Sequence, residues 1–383
     1  MRVAIDARMM GAEHARGIGR YIFELVQAIA LSPELGCELT LIEREPDQSP
    51  FLGYSGVTHL QADAGWYSFK EQVVMPRVFA QAKADLVHVP HWNVPVLYRG
   101  PLCVTIHDLL LRHQANSAKA SRRAQPVAMM KRLGYRYALH QAIYRSRTIF
   151  VPTQFVAQDV HRLYSGVENK TIVTGEGLTH LPTPDTRRVP TKPFLLYVGS
   201  AYPHKRLDLL IDVWSDLQRR YPELELVIAG ELDVFMCEYR AEVEKRRLPR
   251  VHFLGRVSDA ELAALYDAAQ LFIFPSSHEG FGLPPLEALS RGCPLVSSDA
   301  MSLPEVLRDT SATFFQSGNR DAMLRVIEDL LPRTTELRRQ LEDVSENIFE
   351  RFVWRQVAKR TVEGYQRAFD SHVSSSTSSP HRG

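Results

Sequence analysis

Short runs of apolar and β-branched residues recur along this chain, separated by longer segments of helical period, and this alternation limits the fold more than any other feature. The runs are RVAIDA, ELTLIE, DLVHVP, LCVTIHD, TIFVPT and KTIVTGEG, then FLLYVGS, LELVIAG, VHFLG, LFIFPSS and PLVSSD. Strand then helix, repeated in this way, is the pattern of parallel sheets covered by helices on both faces. The expectation is an α/β chain with two such sheets. Between the two series lies LPTPDTRRVPTKP, residues 181–193, with four prolines and no aromatic residue, which reads as a linker. It divides the chain into domains 1–185 and 186–371, both of ordinary size. Within the second, Val353, Val357, Val362, Tyr365 and Phe369 lie near helical spacing and predict a closing helix over 352–369. The tail 372–383 is Ser-rich and nearly devoid of apolar residues, so it is expected to be disordered.

The 383 residues, 45% of them hydrophobic, suffice for two cores. A formal charge of +2 gives no global field for nucleic acid, and any basic partner surface must be local. Cys37, Cys103, Cys237 and Cys293 are widely spaced, with neither a C-x-x-C pair nor the clustering of a disulfide scaffold or zinc site. That spacing suits a reducing cytosol. The start MRVAIDARMM mixes charged and apolar residues and is not expected to act as a signal peptide. Nowhere does a run of about 18 apolar residues occur, so no membrane span is expected.

Ligands of doubly wound sheets bind beyond the carboxyl ends of the strands, so the loops that follow strands carry the chemistry. After RVAIDA, a loop runs to Gly17 and Gly19 and into a helix with Ile22, Leu25, Val26 and Ile29 on one face. Glycines at a helix start admit a phosphate or carboxylate, though they also serve plain turns. The strand-to-glycine junction of a dinucleotide fingerprint is missing, which argues against an NAD-dependent oxidoreductase. His107 and Asp108 follow the strand LCVTI, with Asp108 placed to orient the imidazole. Gly199 and Ser200 follow FLLYV, and Lys205 stands just before a helix, where it can meet a diphosphate as a point charge.

The densest motif is HEGFGLPPLEALSRG, residues 278–292, after the strand LFIF. Pro284 and Pro285 mark a first helical turn, where N–H groups are unpaired in any case. The Gly280-Phe281-Gly282 backbone can approach a ligand closely, and Glu279 and Glu287 border one pocket across a single turn. A carboxylate there suits a vicinal diol such as a ribose, which offers it two donors. Favourable charge at a helix start would explain neither Glu287 nor the glycines. A fifth feature is electrostatic. No acidic residue stands between Asp108 and Asp159, while 112–147 carries Arg112, Lys119, Arg122, Arg123, Lys131, Arg132, Arg136, Arg145 and Arg147, with Met129, Met130, Leu133, Tyr135 and Tyr137 among them. A basic amphipathic segment of this kind suits an anionic bilayer.

With these residues in place, nearly the whole chain resembles the retaining nucleotide-sugar glycosyltransferases of family 4, the GT-B architecture of two Rossmann-like domains whose parallel sheets face a central cleft. GIGRY, WYSFKEQVVMPRVF, TIHDLL, FVPTQFVAQDV, YVGSAYPHK and the E-x7-E unit at Glu279 and Glu287 appear in family order. The resemblance implies an N-terminal acceptor domain and a C-terminal donor domain. It implies that Glu287 holds the nucleotide ribose. Glu279, with the N–H groups around Gly280, Phe281, Gly282 and Leu283, would hold the transferred hexose and its phosphate. Lys205 would neutralise the leaving diphosphate, His107 would bind the donor sugar near its reacting carbon, Gly17 and Gly19 would line the phosphate and acceptor side, and Arg256 and Val257 would meet the base. Many relatives carry an arginine where this chain has Ser200, a departure for which His204 or Arg206 would compensate.

In this family the departing diphosphate can itself take the acceptor's proton, so cations and helix starts matter more than a strong base. No D-x-D occurs, and catalysis without metal or other cofactor is expected. IDARMMG, W-Y-S-x-x-E-Q and P-H-K look like bacterial transferases of mannose, often from GDP-mannose, to lipid-linked or polysaccharide acceptors. Such an enzyme would be cytoplasmic, at the inner face of the membrane. UDP- and dTDP-sugars, a double-Rossmann sugar-nucleotide epimerase and a two-lobed sugar-binding protein stay open as alternatives.

Overall fold

The computed structural model of the chain describes residues 1–10, 17–113 and 125–377. They form two units, one made of the residues up to Gly177 together with those from Val353 onward, the other of Leu178–Phe352. The first unit has seven strands: β1 Arg2–Asp6, β2 Glu38–Glu43, β3 Val57–Gln61, β4 Leu86–Val89, β5 Leu102–Thr105, β6 Thr148–Val151 and β7 Thr171–Val173. Their order in the sheet is β3-β2-β1-β4-β5-β6-β7, all parallel. The second unit has six: β8 Phe194–Val198, β9 Glu225–Ala229, β10 Val251–Gly255, β11 Leu271–Phe274, β12 Leu295–Ser298 and β13 Thr313–Phe315, ordered β10-β9-β8-β11-β12-β13 and again parallel.

Both sheets therefore wind outward from their first strand in two directions. Successive crossovers leave to opposite faces on either side of that strand, which opens a crevice at its carboxyl end. One such switch point lies between β1 and β4, the other between β8 and β11. The central strands are buried along their whole length and read as largely apolar runs, His88 and Thr105 apart, because both their faces are covered. On the helix Ile18–Ala30 the expected stripe of Ile22, Leu25, Val26 and Ile29 is buried.

The division into domains differs from the sequence expectation at four places. The closing helix, Trp354–Thr377, packs on the first unit instead of the second, sharing a core through Val357, Val362 and Tyr365 with Ile22, Leu25 and Ile29. Its Gly364 lies so near the buried ring of Phe150 that a Cβ would collide with it. The boundary falls at Gly177, ahead of 185, where the Leu178 N–H bonds the Phe352 carbonyl at 2.7 Å and outgoing and returning chains meet. The proline-rich segment is no loose linker: the Asp185 N–H bonds the Ala260 carbonyl at 2.9 Å, and the Arg188 guanidinium reaches the carbonyls of Leu254 and Arg256. The helix also runs to Thr377, into the tail expected to be disordered; 378–383 lie outside the described residues.

Of the basic segment, 114–124 with Lys119, Arg122 and Arg123 lies outside the described residues. Leu133 and Tyr137 are exposed on the helix Gln125–Arg145. Arg145 and Arg147 are instead tied inward, to the carbonyls of Val96 at 2.9 Å and Ala368 at 3.3 Å. Among the described residues no helix is long and apolar enough to cross a membrane.

Candidate active site

In the second unit, β8 and β11 are neighbours, so the loops that leave their carboxyl ends run side by side. The His204 carbonyl accepts from the Ser277 N–H at 2.7 Å, from Ser277 Oγ at 3.0 Å and from Ser276 Oγ at 3.3 Å. The hydroxyl of Ser298, at the end of β12, bonds the Ser276 carbonyl and braces the same loop from the far side. These bonds place Lys205 and Glu279 together, Nζ to Oε1 2.6 Å, with side chains 22% and 11% exposed. The Lys205 ammonium also stands 5.8 Å from the centre of the Phe274 ring.

Behind Glu279 the chain turns into the helix Leu283–Ser290. Gly282 holds φ 92°, and a Cβ there would sit 2.8 Å from Leu303, so only glycine makes this turn without strain. Pro284 and Pro285 carry no N–H, which leaves the donors of the turn to Gly280, Phe281, Gly282 and Leu283. The Glu279 carbonyl accepts from Ser302 Oγ at 2.8 Å, fixing the turn from below. Phe281 is buried, its ring 5.8 Å from that of Phe352, so it contributes backbone and anchorage. Glu287 is buried one turn on, and the Tyr266 hydroxyl donates to its Oε2 at 3.4 Å. A carboxylate taken this far from water needs donors, and a ligand diol would add two.

At the end of β8 the buried Tyr197 hydroxyl donates to the Ser200 carbonyl at 2.7 Å. Burial, and then the charge of Glu279, push this phenol well above its ordinary pKa, so it remains a donor. Arg206 is paired with Asp208 at 3.1 Å, its backbone left-handed at φ 54°. Arg256 follows β10 and pairs with Glu231 at 3.5 Å, whereas Val257 is buried in the core. The tyrosine and the serines of this frame are residues that the motif reading did not include. Ser276 and Ser277 were visible as the SS before HEG, but hydroxyls that brace a loop have no spacing rule of their own.

In the first unit His107 follows β5. Its Nε2 lies 3.2 Å from the Pro90 carbonyl and its Nδ1 3.3 Å from Glu176 Oε1. Tyr21 meets the imidazole edge-on at 4.7 Å, so the helix that Gly17 and Gly19 begin lies against His107. Residues 11–16, just ahead of Gly17, lie outside the described residues. Asp108 does not orient the histidine, contrary to expectation: its Oδ1 accepts the Leu110 N–H at 2.9 Å. Among the described residues no group of three or more His, Cys, Asp or Glu side chains is arranged to hold a metal ion.

Two Rossmann-like domains with polar, strand-end sites at their switch points make up the GT-B fold, and it is the family models that give the class, glycosyltransferase. Residues 15–177 match Glycosyltransferase Family 4, and residues 184–347 match Glycosyl transferases group 1. The chain belongs to family 4 of the glycosyltransferases. Over 185 residues it is 34% identical to the serotype-specific mannosyltransferase WbdA of Escherichia coli, an alignment that covers 46% of this chain and 22% of that protein. The chain thus spans about a fifth of that relative. The O-antigen chain mannosyltransferase B of Escherichia coli is 27% identical over 326 residues, covering 76% of this chain and 81% of the relative. Among solved structures, sucrose-phosphate synthase from Thermosynechococcus elongatus has the same fold, with a TM-score of 0.75 at 20% identity over 97% of this chain and 99% of that one.

Proposed function

We propose that this glycosyltransferase moves mannose from GDP-mannose, with retention and without a metal, to a lipid-linked or polysaccharide acceptor in the building of a cell-surface polysaccharide. The observation that carries the donor reading is the Lys205–Glu279 pair at the β8/β11 switch point, with Glu287 buried one helical turn away. Mannose is supported by the relatives above, two mannosyltransferases by name. Glu287 takes the ribose. Glu279 and the N–H groups of Gly280 to Leu283 take the hexose and its phosphate, and Lys205 stabilises the diphosphate as it leaves. The base is assigned to Arg256, and to the backbone of Val257, whose side chain is buried in the core. His107 is assigned to the transferred sugar, and Gly17 and Gly19 to the phosphate and acceptor side. Fixed donors aimed at the departing charge lower the barrier without reorganising, so the diphosphate itself can accept the acceptor's proton. The cationic segment 112–147 brings the enzyme to the inner face of the cytoplasmic membrane, where a lipid-linked acceptor resides.

The test is nucleoside diphosphate release from a panel of GDP-, UDP- and dTDP-sugars in EDTA, with and without a membrane lipid extract. Turnover of GDP-mannose alone, stimulated by lipid and reduced at least about a hundredfold in a folded Glu279→Ala variant, is expected. Turnover of a UDP- or dTDP-sugar in its place would replace the donor, and product formed without any acceptor would point to an epimerase.

A further inference from the structure

The proposed chemistry needs His107 in a fixed place, and three contacts hold its ring. The Pro90 carbonyl faces Nε2 at 3.2 Å, Glu176 Oε1 faces Nδ1 at 3.3 Å, and Tyr21 meets the ring edge-on at 4.7 Å. Pro90 follows β4, the neighbour of β5, so the sheet itself places that carbonyl. Glu176 and Tyr21 need support from elsewhere.

Glu176 stands on the stretch 174–177, after β7 and outside any helix or strand. The closing helix grips that stretch on both sides of it. Arg360 Nη1 donates to the Thr174 carbonyl at 3.2 Å, and the Trp354 ring lies on Gly177, where a Cβ would come within 2.4 Å of its atoms. No left-handed φ calls for this glycine; the indole does. The same indole reaches the second support. Its ring centre lies 5.8 Å from that of Tyr21, in an edge contact at 62°, so the buried Tyr21 touches both Trp354 and His107.

Docking of the helix does not by itself account for the indole. Val357, Val362 and Tyr365 already bury the apolar face of that helix, whereas Trp354 is its first residue and only half-buried. Any apolar side chain could begin the helix there. A broad flat ring is needed to cover a bare glycine and meet a tyrosine at once.

We propose that Trp354 is a positioning residue, which sets the His107 imidazole through Glu176 and Tyr21. The inference rests on the assignment of His107 to the transferred sugar and extends it to the closing helix. Two of the three contacts of the histidine run through this one ring, and a reacting group displaced by about 1 Å can lose about a hundredfold in rate.

The test joins a spectrum of the ring to turnover by the full chain. In a proton–carbon correlation spectrum the His107 Cε1–H peak is identified by its loss in His107→Ala. It is expected to shift in Trp354→Leu, and in Gly177→Ala, which dislodges the indole without removing it; Trp354→Phe should bring it back toward its unmodified position. With GDP-mannose as donor and a membrane lipid extract as acceptor source, Trp354→Leu is expected to lower kcat about tenfold to a hundredfold. GDP affinity, by calorimetry, should stay within about twofold. Turnover is read where circular dichroism shows each variant folded. In a His107→Ala background the same substitution should lower the residual turnover by less than about twofold, since the residue through which it acts is gone. An unmoved His107 peak, a kcat of Trp354→Leu within about twofold of the unmodified protein, or an undiminished loss in the His107→Ala background would overturn the proposal. Failure of the donor reading would show separately, as absence of GDP-mannose turnover by the unmodified protein, and the His107 peak would then decide the role of Trp354 alone.

Discussion

Asp108 follows His107 directly in the chain, and a neighbouring carboxylate is the natural candidate to orient an imidazole. Its side chain instead closes a local turn onto the Leu110 N–H, the common habit of an aspartate two residues before a free donor. The carboxylate that does reach the ring, Glu176, comes from the loop after β7. Both ring nitrogens of His107 face acceptors, Nε2 the Pro90 carbonyl and Nδ1 the Glu176 carboxylate, so each N–H the ring carries has a partner and the ring is held between them. Asp108→Asn is therefore expected to leave kcat within about threefold, whereas Glu176→Gln lowers it by about tenfold to a hundredfold through a misplaced ring. Steady-state turnover of the nucleotide-sugar decides it; equal effects, or a worse Asp108→Asn, would return the role to Asp108. The same distinction explains what the motifs conveyed in the second unit. Lys205 and Glu279 could each be singled out by type and by position after a strand. Their pairing across 74 residues could not, since it depends on β8 and β11 being neighbours.

Eleven strands announce themselves as apolar runs, and the two that do not, β3 and β13, each stand at one edge of a sheet, although the opposite edges, β7 and β10, do announce themselves. VTHLQ and TFF are only partly covered, so they lack the continuous apolar character that burial on both faces imposes. The closing helix shows a related limit. Its periodicity was legible, but the unit that receives its apolar face is decided by a chain return that no local pattern encodes. Gly364 gives a sharp test of that packing. In an exposed helix Gly→Ala would stabilise by about 1 kcal/mol through propensity. Here the new methyl meets the fully buried ring of Phe150, which cannot swing away, and overpacking of this kind costs about 1–3 kcal/mol. The clash should win or at best draw, so Gly364→Ala is expected to lower the Tm by a few degrees in thermal unfolding. A raised Tm would show that the helix does not sit tightly on β6.

At the scale of the molecule, the repetition of strand and helix is what made two doubly wound sheets legible, while the position of the division was obscured by prolines that turn out to be tied to the second unit. One property of the first unit has no sequence signature, because it arises chiefly from burial. His88 lies wholly inside β4, between the Tyr365 hydroxyl at 2.6 Å and Thr105 Oγ1 at 2.8 Å. Burial, and secondarily the charge of His107, push the pKa of His88 and of His91 from 6.5 down to about 3. Between those values the unfolded chain binds a proton at each site and the folded chain does not. Stability therefore rises with pH across this window and is lost as pH falls below 6.5. By pH 5 the loss is about 2 kcal/mol for each histidine. For a unit of this size both together lower the Tm by on the order of 10 °C relative to pH 7. His88→Gln, though less stable outright, removes one of the two titrating sites, so its Tm should decline over the same interval with about half the slope. An identical slope in the variant and the unmodified protein would place the acid sensitivity elsewhere and would mean that His88 is already charged within the fold.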